Sequence, residues 1–112
     1  MPSKICEQDP VLGRIINVLV GLYSPDRIYL FGSKARGNFG PDSDYDIMVV
    51  VPNEAPSELR RAGRAHEALW SAGITEPADI LIWTKEQFDS TLHLKASLST
   101  EVASEGALLY AA

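Results

Sequence analysis

The run Ile47-Met48-Val49-Val50-Val51, stopped by Pro52, constrains the fold more than any other stretch of this chain. Five consecutive apolar residues without polar alternation describe a strand that needs cover on both faces. A chain of 112 residues builds one core rather than two. The strand, expected over 44–51, is therefore placed at the centre of residues 1–112 folded as a single domain. Asp44-x-Asp46 leads directly into the run, so any work done by these acids is done from the start of the central strand.

The flanking segments supply the cover. Asp9-Pro10 has helix-start chemistry, the aspartate as cap and the proline in the first turn, where its missing N–H costs nothing. Leu12, Ile15, Ile16, Leu19 and Leu22 then recur at helical spacing, until Ser24-Pro25-Asp26 turns the chain near Tyr23. Residues 27–31 form a short strand. Gly32 permits a sharp turn, Ser33 opens a helical turn over 33–37 that carries Arg36, and 38–43, with Gly40-Pro41, is a loop. A second helix is expected over 56–72, with Leu59, Ala62, His66, Leu69 and Trp70 on one side and Gly73 as terminator. Residues 78–83 form a third strand, in which Asp79, Leu81 and Trp83 share a face. Thr84 and Gln87 fit a capping box that opens a looser stripe, Phe88, Leu92, Ala96, Ser99 and Val102, toward Gly106. The apolar tail 108–110 either adds an edge strand or docks on a partner. The implied class is α/β (α+β): a small mixed sheet of three to four strands with helices packed on it.

Composition narrows the setting. A net charge of −5 argues against a general nucleic-acid binder, whose footprint is basic. Cys6 is the only cysteine, which excludes an internal disulfide and makes a reducing compartment the default. The first nine residues lack the apolar core of a signal peptide, and no apolar run approaches the roughly 20 residues that cross a bilayer. A cytoplasmic protein with neither membrane nor nucleic-acid partner is expected.

The chemistry concentrates in FGSKARGNFGPDSDYD, Phe31 to Asp46. Strand alternation puts Asp44 and Asp46 on one face, a pleat apart, where two carboxylates can share hard cations such as magnesium. Asp79 is the lone acid in the apolar stretch Ala78-Asp79-Ile80-Leu81-Ile82. An unpaired buried carboxylate is costly, so it is expected to face a site holding cation or water. Three acids from two strands can hold two metal ions about 3.5–4 Å apart, with Asp79 placed to orient or deprotonate an acceptor hydroxyl. Gly32 lets backbone approach a ligand, and N–H groups at the following helix start, with the Ser33 hydroxyl, offer an anion site for phosphates. Arg36 can stabilise a pyrophosphate leaving group.

Gly32-Ser33, ten intervening residues and Asp44-x-Asp46 resemble the signature of the polymerase-beta-like nucleotidyltransferase superfamily. The length and the GSKARG opening are most similar to its minimal nucleotidyltransferase (MNT) branch. The resemblance implies that Asp44 and Asp46 bind Mg2+, that Asp79 completes the site, and that Gly32 and Ser33 hold the phosphates of ATP. It also implies an antitoxin whose partner is a HEPN-type ribonuclease, silenced by transfer of AMP to a tyrosine. The larger enzymes carry an extra substrate-binding domain, for which this chain shows no segment, so the acceptor is expected from a partner protein. Two other readings stay open: a non-catalytic antitoxin that covers its partner, and transfer to a small molecule in a pocket completed by a homo-oligomer.

Competing readings of single residues are weaker. An EF-hand over Asp42-x-Asp44-x-Asp46 requires glycine and glutamate where Ile47 and Asn53 stand. Lys34 reads as surface and His66 as a satisfied or partly buried histidine. His93 has no matching ligand. Trp70, Trp83 and Phe88 read as core or partner surface, and Cys6 lacks the partners of a nucleophile.

Overall fold

The computed structural model describes residues 9–32, 45–55, 62–92, 98, 102–103 and 106–112. The expected turn over 33–37, the loop over 38–43, the helix start over 56–61, and Cys6, His93, Ala96 and Ser99 lie outside them.

Helix α1, Pro10–Tyr23, begins where the sequence places it. The Asp9 side chain accepts from Leu12 N at 3.2 Å, and Pro10 occupies the first turn. Strand β1, Arg27–Phe31, follows, then β2, Tyr45–Val51. Helix α2, Ala62–Ser71, crosses to β3, Ala78–Thr84. Helix α3, Lys85–Ser90, and β4, Ala107–Ala111, complete the described elements. No helix among the described residues is long and apolar enough to cross a membrane.

The sheet has four strands in the order β3-β2-β1-β4. β1 pairs antiparallel with both β2 and β4, whereas β2 and β3 run parallel. The crossover that a parallel pair requires is α2. β2 is thus interior, and Ile47 to Val51 are all buried, as a run without alternation demands. The apolar tail takes the first of its two expected roles, an edge strand.

The two faces are covered unequally. On one, Ile28, Leu30, Tyr45, Ile47, Val49, Val51, Ile80 and Leu109 pack under Leu12, Ile15, Ile16, Leu19 and Tyr23 of α1 and Ala65 and Leu69 of α2. On the other, Met48 and Val50 meet Phe88 of α3 and Val102, with Tyr29, Phe31, Leu81 and Trp83 partly buried around them. Arg27 secures α3 to this face: its guanidinium donates to Asp89 Oδ1 at 2.8 Å and lies 5.2 Å from the Phe88 ring centre, and that ring stacks on Tyr29. The capping box is present as expected, Thr84 Oγ1 accepting from Gln87 N and Gln87 Oε1 from Thr84 N.

One expectation requires correction. α2 does not bury His66 and Trp70. Ala65 and Leu69 face the sheet, while His66 is exposed and Trp70 is 72% exposed. Ala65 lets the helix lie close to the sheet, and burying His66 and Trp70 would require partners for ring N–H groups. Gly73 does terminate the helix: φ is 80°, its N–H donates to Trp70 O and that of Ile74 to Leu69 O. Asp79, expected to face cation or water, is exposed. β3 is an edge strand, so the apolar stretch around Asp79 is enclosed only where Ile80 turns to the helices.

Tyr23 and Tyr45 lie in the helix-side core. Burial pushes both phenols above the ordinary 10.0, and at Tyr45 the hydrogen bond to Asp9 and the Asp9 and Glu76 charges push the same way. A raised folded-state value means stability that is intact below the unfolded value and lost as pH rises through the folded one. Unfolding free energy should therefore fall with pH above about 10, and Tyr45→Phe should flatten part of that fall in urea melts.

Candidate active site

Alternation along β2 sends Tyr45, Ile47, Val49 and Val51 to the helix-side core and leaves Asp46, Met48 and Val50 on the other face. Pairing then fixes what stands beside Asp46. The parallel ladder places Asp79 of β3 directly opposite, and the antiparallel ladder places Phe31 of β1 on the other side. Adjacent strands are about 4.8 Å apart, so two carboxylates from two strands share one patch of surface. Asp46 is half-buried and Asp79 is exposed.

Gly32 closes the patch. Its φ of 75° lies in the left-handed region, and a Cβ built there would overlap Asp46 Oδ2. Glycine is thus required twice, for the turn after β1 and for the space the Asp46 carboxylate occupies. The sequence pointed only to the first reason.

Like charges directly opposite on neighbouring strands are unfavourable, and a cation between them reverses the sign of that interaction. Among the described residues the donors brought together are the carboxylate oxygens of Asp46 and Asp79, a set that suits a hard ion such as Mg2+. Among the described residues no group of three His, Cys, Asp or Glu side chains could hold a metal. Of the site residues expected from sequence, Gly32, Asp46 and Asp79 are brought together. Ser33, Arg36 and Asp44, together with Lys34, lie outside the described residues.

Behind the acids stands a contact that sequence reasoning missed. The Tyr45 hydroxyl donates to Asp9 Oδ2 at 2.7 Å, joining the start of β2 to the cap of α1. Asp9 was legible only as a cap, and its second oxygen left no local signal.

The family model of the nucleotidyltransferase domain matches residues 12–104. The chain belongs to this family. As a nucleotidyltransferase domain it has the fold of several solved structures. One is a candidate nucleotidyltransferase from Sulfolobus solfataricus, at TM-score 0.58 and 20% identity over 88% of this chain and 76% of that one. A second is a chain of a toxin–antitoxin complex with AMP-PNP, at TM-score 0.55 and 24% identity over 88% and 73%. A third is a chain of the tri-AMPylated Shewanella oneidensis HEPN toxin in complex with its MNT antitoxin, at TM-score 0.55 and 21% identity over 94% and 73%. At these identities the likeness establishes the fold. No curated protein sequence matches the chain.

Gly32→Ala should cost about 1–2 kcal/mol for the left-handed turn alone. It should also drive the Asp46 carboxylate from its place beside Asp79. A urea melt and a crystal structure of the variant check this, and an unmoved Asp46 with wild-type stability would refute it.

Proposed function

We propose that residues 1–112 form one cytoplasmic nucleotidyltransferase domain that moves AMP from ATP to a tyrosine hydroxyl of a HEPN-type toxin, in a Mg2+-dependent reaction, and so serves as its antitoxin. The observation that carries this reading is the register of Asp46 against Asp79 with Gly32 closed over Asp46. Asp44 joins the pair on sequence spacing, and these three acids would hold the magnesium. Bound there, magnesium would neutralise phosphate charge around the reacting phosphorus.

The remaining steps fall to the protein. Gly32 and Ser33 cradle the triphosphate through backbone N–H groups and the serine hydroxyl. Arg36 offsets charge on the leaving pyrophosphate. Asp79, the most open of the acids seen, faces the incoming acceptor and takes the proton from its hydroxyl. The acceptor oxygen bonds to the α-phosphorus as the bond from that phosphorus to the bridging oxygen breaks, and pyrophosphate departs with the electron pair. Exposure of Asp79 supports an acceptor delivered by another protein, because the acid meets solvent rather than an internal pocket. The solved complexes with AMP-PNP and with an AMPylated HEPN toxin support the choice of donor and acceptor.

One observation favours the rival reading, an antitoxin that works by coverage alone. Trp70 is 72% exposed. It lines, with His66, Ile74 and Glu76, an open hollow of about 330 Å3 that reaches Pro77 and Ala78 at the start of β3. A large indole facing solvent suits a protein interface.

Incubation with ATP, Mg2+ and a HEPN-domain toxin, followed by intact mass measurement of the toxin, separates the two. Transfer predicts added AMP, with Asp79→Asn slower by about 10²–10⁴-fold, as for loss of a general base, and Asp46→Asn inactive while still folded. Unchanged toxin mass would refute transfer to the toxin, and full neutralisation by the Asp44→Ala/Asp46→Ala variant would establish coverage instead.

A further inference from the structure

Tyr45 is the residue between the two motif acids, and its side chain leaves the strand on the side opposite Asp46. Burial alone would be met by phenylalanine. A hydroxyl taken into the core is costly unless it is hydrogen-bonded, and here its partner is specific: Asp9 Oδ2, at 2.7 Å. The other oxygen of the same carboxylate accepts from Leu12 N at 3.2 Å and caps α1. One carboxylate therefore joins the first turn of a helix, itself held by Leu12, Ile15, Ile16 and Leu19 in the core, to the first residue of β2.

The backbone of Tyr45 is engaged at the same point. Its N–H donates to Pro77 O at 3.1 Å, one step before the pairing of Asp46 with Asp79. Strand ends open more readily than strand centres, so the first residue of β2 is where the register of the acids is most easily lost. Because successive side chains point to opposite faces, holding Tyr45 against the helices also holds Asp46 against the other face.

We infer that the Asp9–Tyr45 hydrogen bond is a positioning device for the metal-binding acids: it fixes the rotation and register of the start of β2, so that Asp46 meets Asp79 at the spacing a shared cation requires. Tyr45 and Asp9 are positioning residues that touch neither ion nor nucleotide. This rests on the metal-site reading of Asp46 and Asp79 given above.

The test measures magnesium binding by calorimetry with no nucleotide present, beside thermal melts, for wild type, Tyr45→Phe, Asp9→Ser and the double variant. Serine still caps α1 but has a single oxygen, so Asp9→Ser removes the Tyr45 contact and spares the cap. Asn53→Ala is the stability control: it removes the 2.8 Å bond from Glu86 N to Asn53 Oδ1, beyond the far end of β2. Tyr45→Phe and Asp9→Ser should each weaken magnesium binding about tenfold, the low end for groups that hold metal ligands without touching the ion. The double variant should be no weaker than either single one, since both remove the same bond. Asn53→Ala should lower the melting temperature and leave magnesium binding unchanged. Wild-type magnesium affinity in Tyr45→Phe overturns the inference. So does an Asn53→Ala loss of affinity equal to that of Tyr45→Phe at the same melting temperature. If wild type itself binds no magnesium, the site reading fails and takes the inference with it.

Discussion

The structure depends on the pairing of β2 with β3 in a single register, Asp46 opposite Asp79 and Val51 opposite Thr84. Side chains alternate with a period of two, so a slip of one residue would carry Asp79 to the helix side and Ile80 to the open face. The slip is prevented by burial rather than by the acids. Ile80 sits in the helix-side core beside Ile47 and Val49, and exposing it would forfeit about 1.5–3 kcal/mol before any other side chain moved. Asp46 and Asp79 are thus held adjacent by apolar packing on the reverse of the same strands.

Among the described residues the two faces of β2 are covered by different elements. Two helices shield the whole length of β2 on one side. On the other, among the described residues, Phe88 and Val102 cover Met48 and Val50, with Arg27, Asp89 and Tyr29 holding α3 against this face. Asp46 stands at the start of the strand beside Phe31, which packs against that cluster. The same central strand is core for most of its length and carries the candidate site near its start.

How much of this was legible from sequence follows from the range of the forces involved. Asp9 with Pro10, Thr84 with Gln87, and Gly73 signal element ends through atoms within a few residues, and each was read correctly. The unbroken run from Ile47 announced an interior strand because burial on both faces leaves no polar alternation. What was not legible depended on partners distant in sequence. The exposure of Asp79 follows from β3 being an edge, which nothing within 78–83 encodes. The turn of α2 toward Ala65 and away from His66 and Trp70 follows from how closely a helix can approach the sheet. For the site, the sequence named Gly32, Asp46 and Asp79 as neighbours, but it could not state that Gly32 is needed for the volume of the Asp46 carboxylate.

The Asp9–Tyr45 bond belongs to the same class of long-range facts, and it bears on how such a small site can be stable without a ligand. Strand ends open more readily than strand centres, and Asp46 stands next to the start of β2. Anchoring Tyr45 to the cap of α1 draws on a helix whose own burial is independent of the site. The anchor reaches the acid face through one residue of backbone, because successive side chains point to opposite faces. Tyr45, flanked by Asp44 and Asp46 in the chain, is where the helix-side core is tied to the strand that carries the acids.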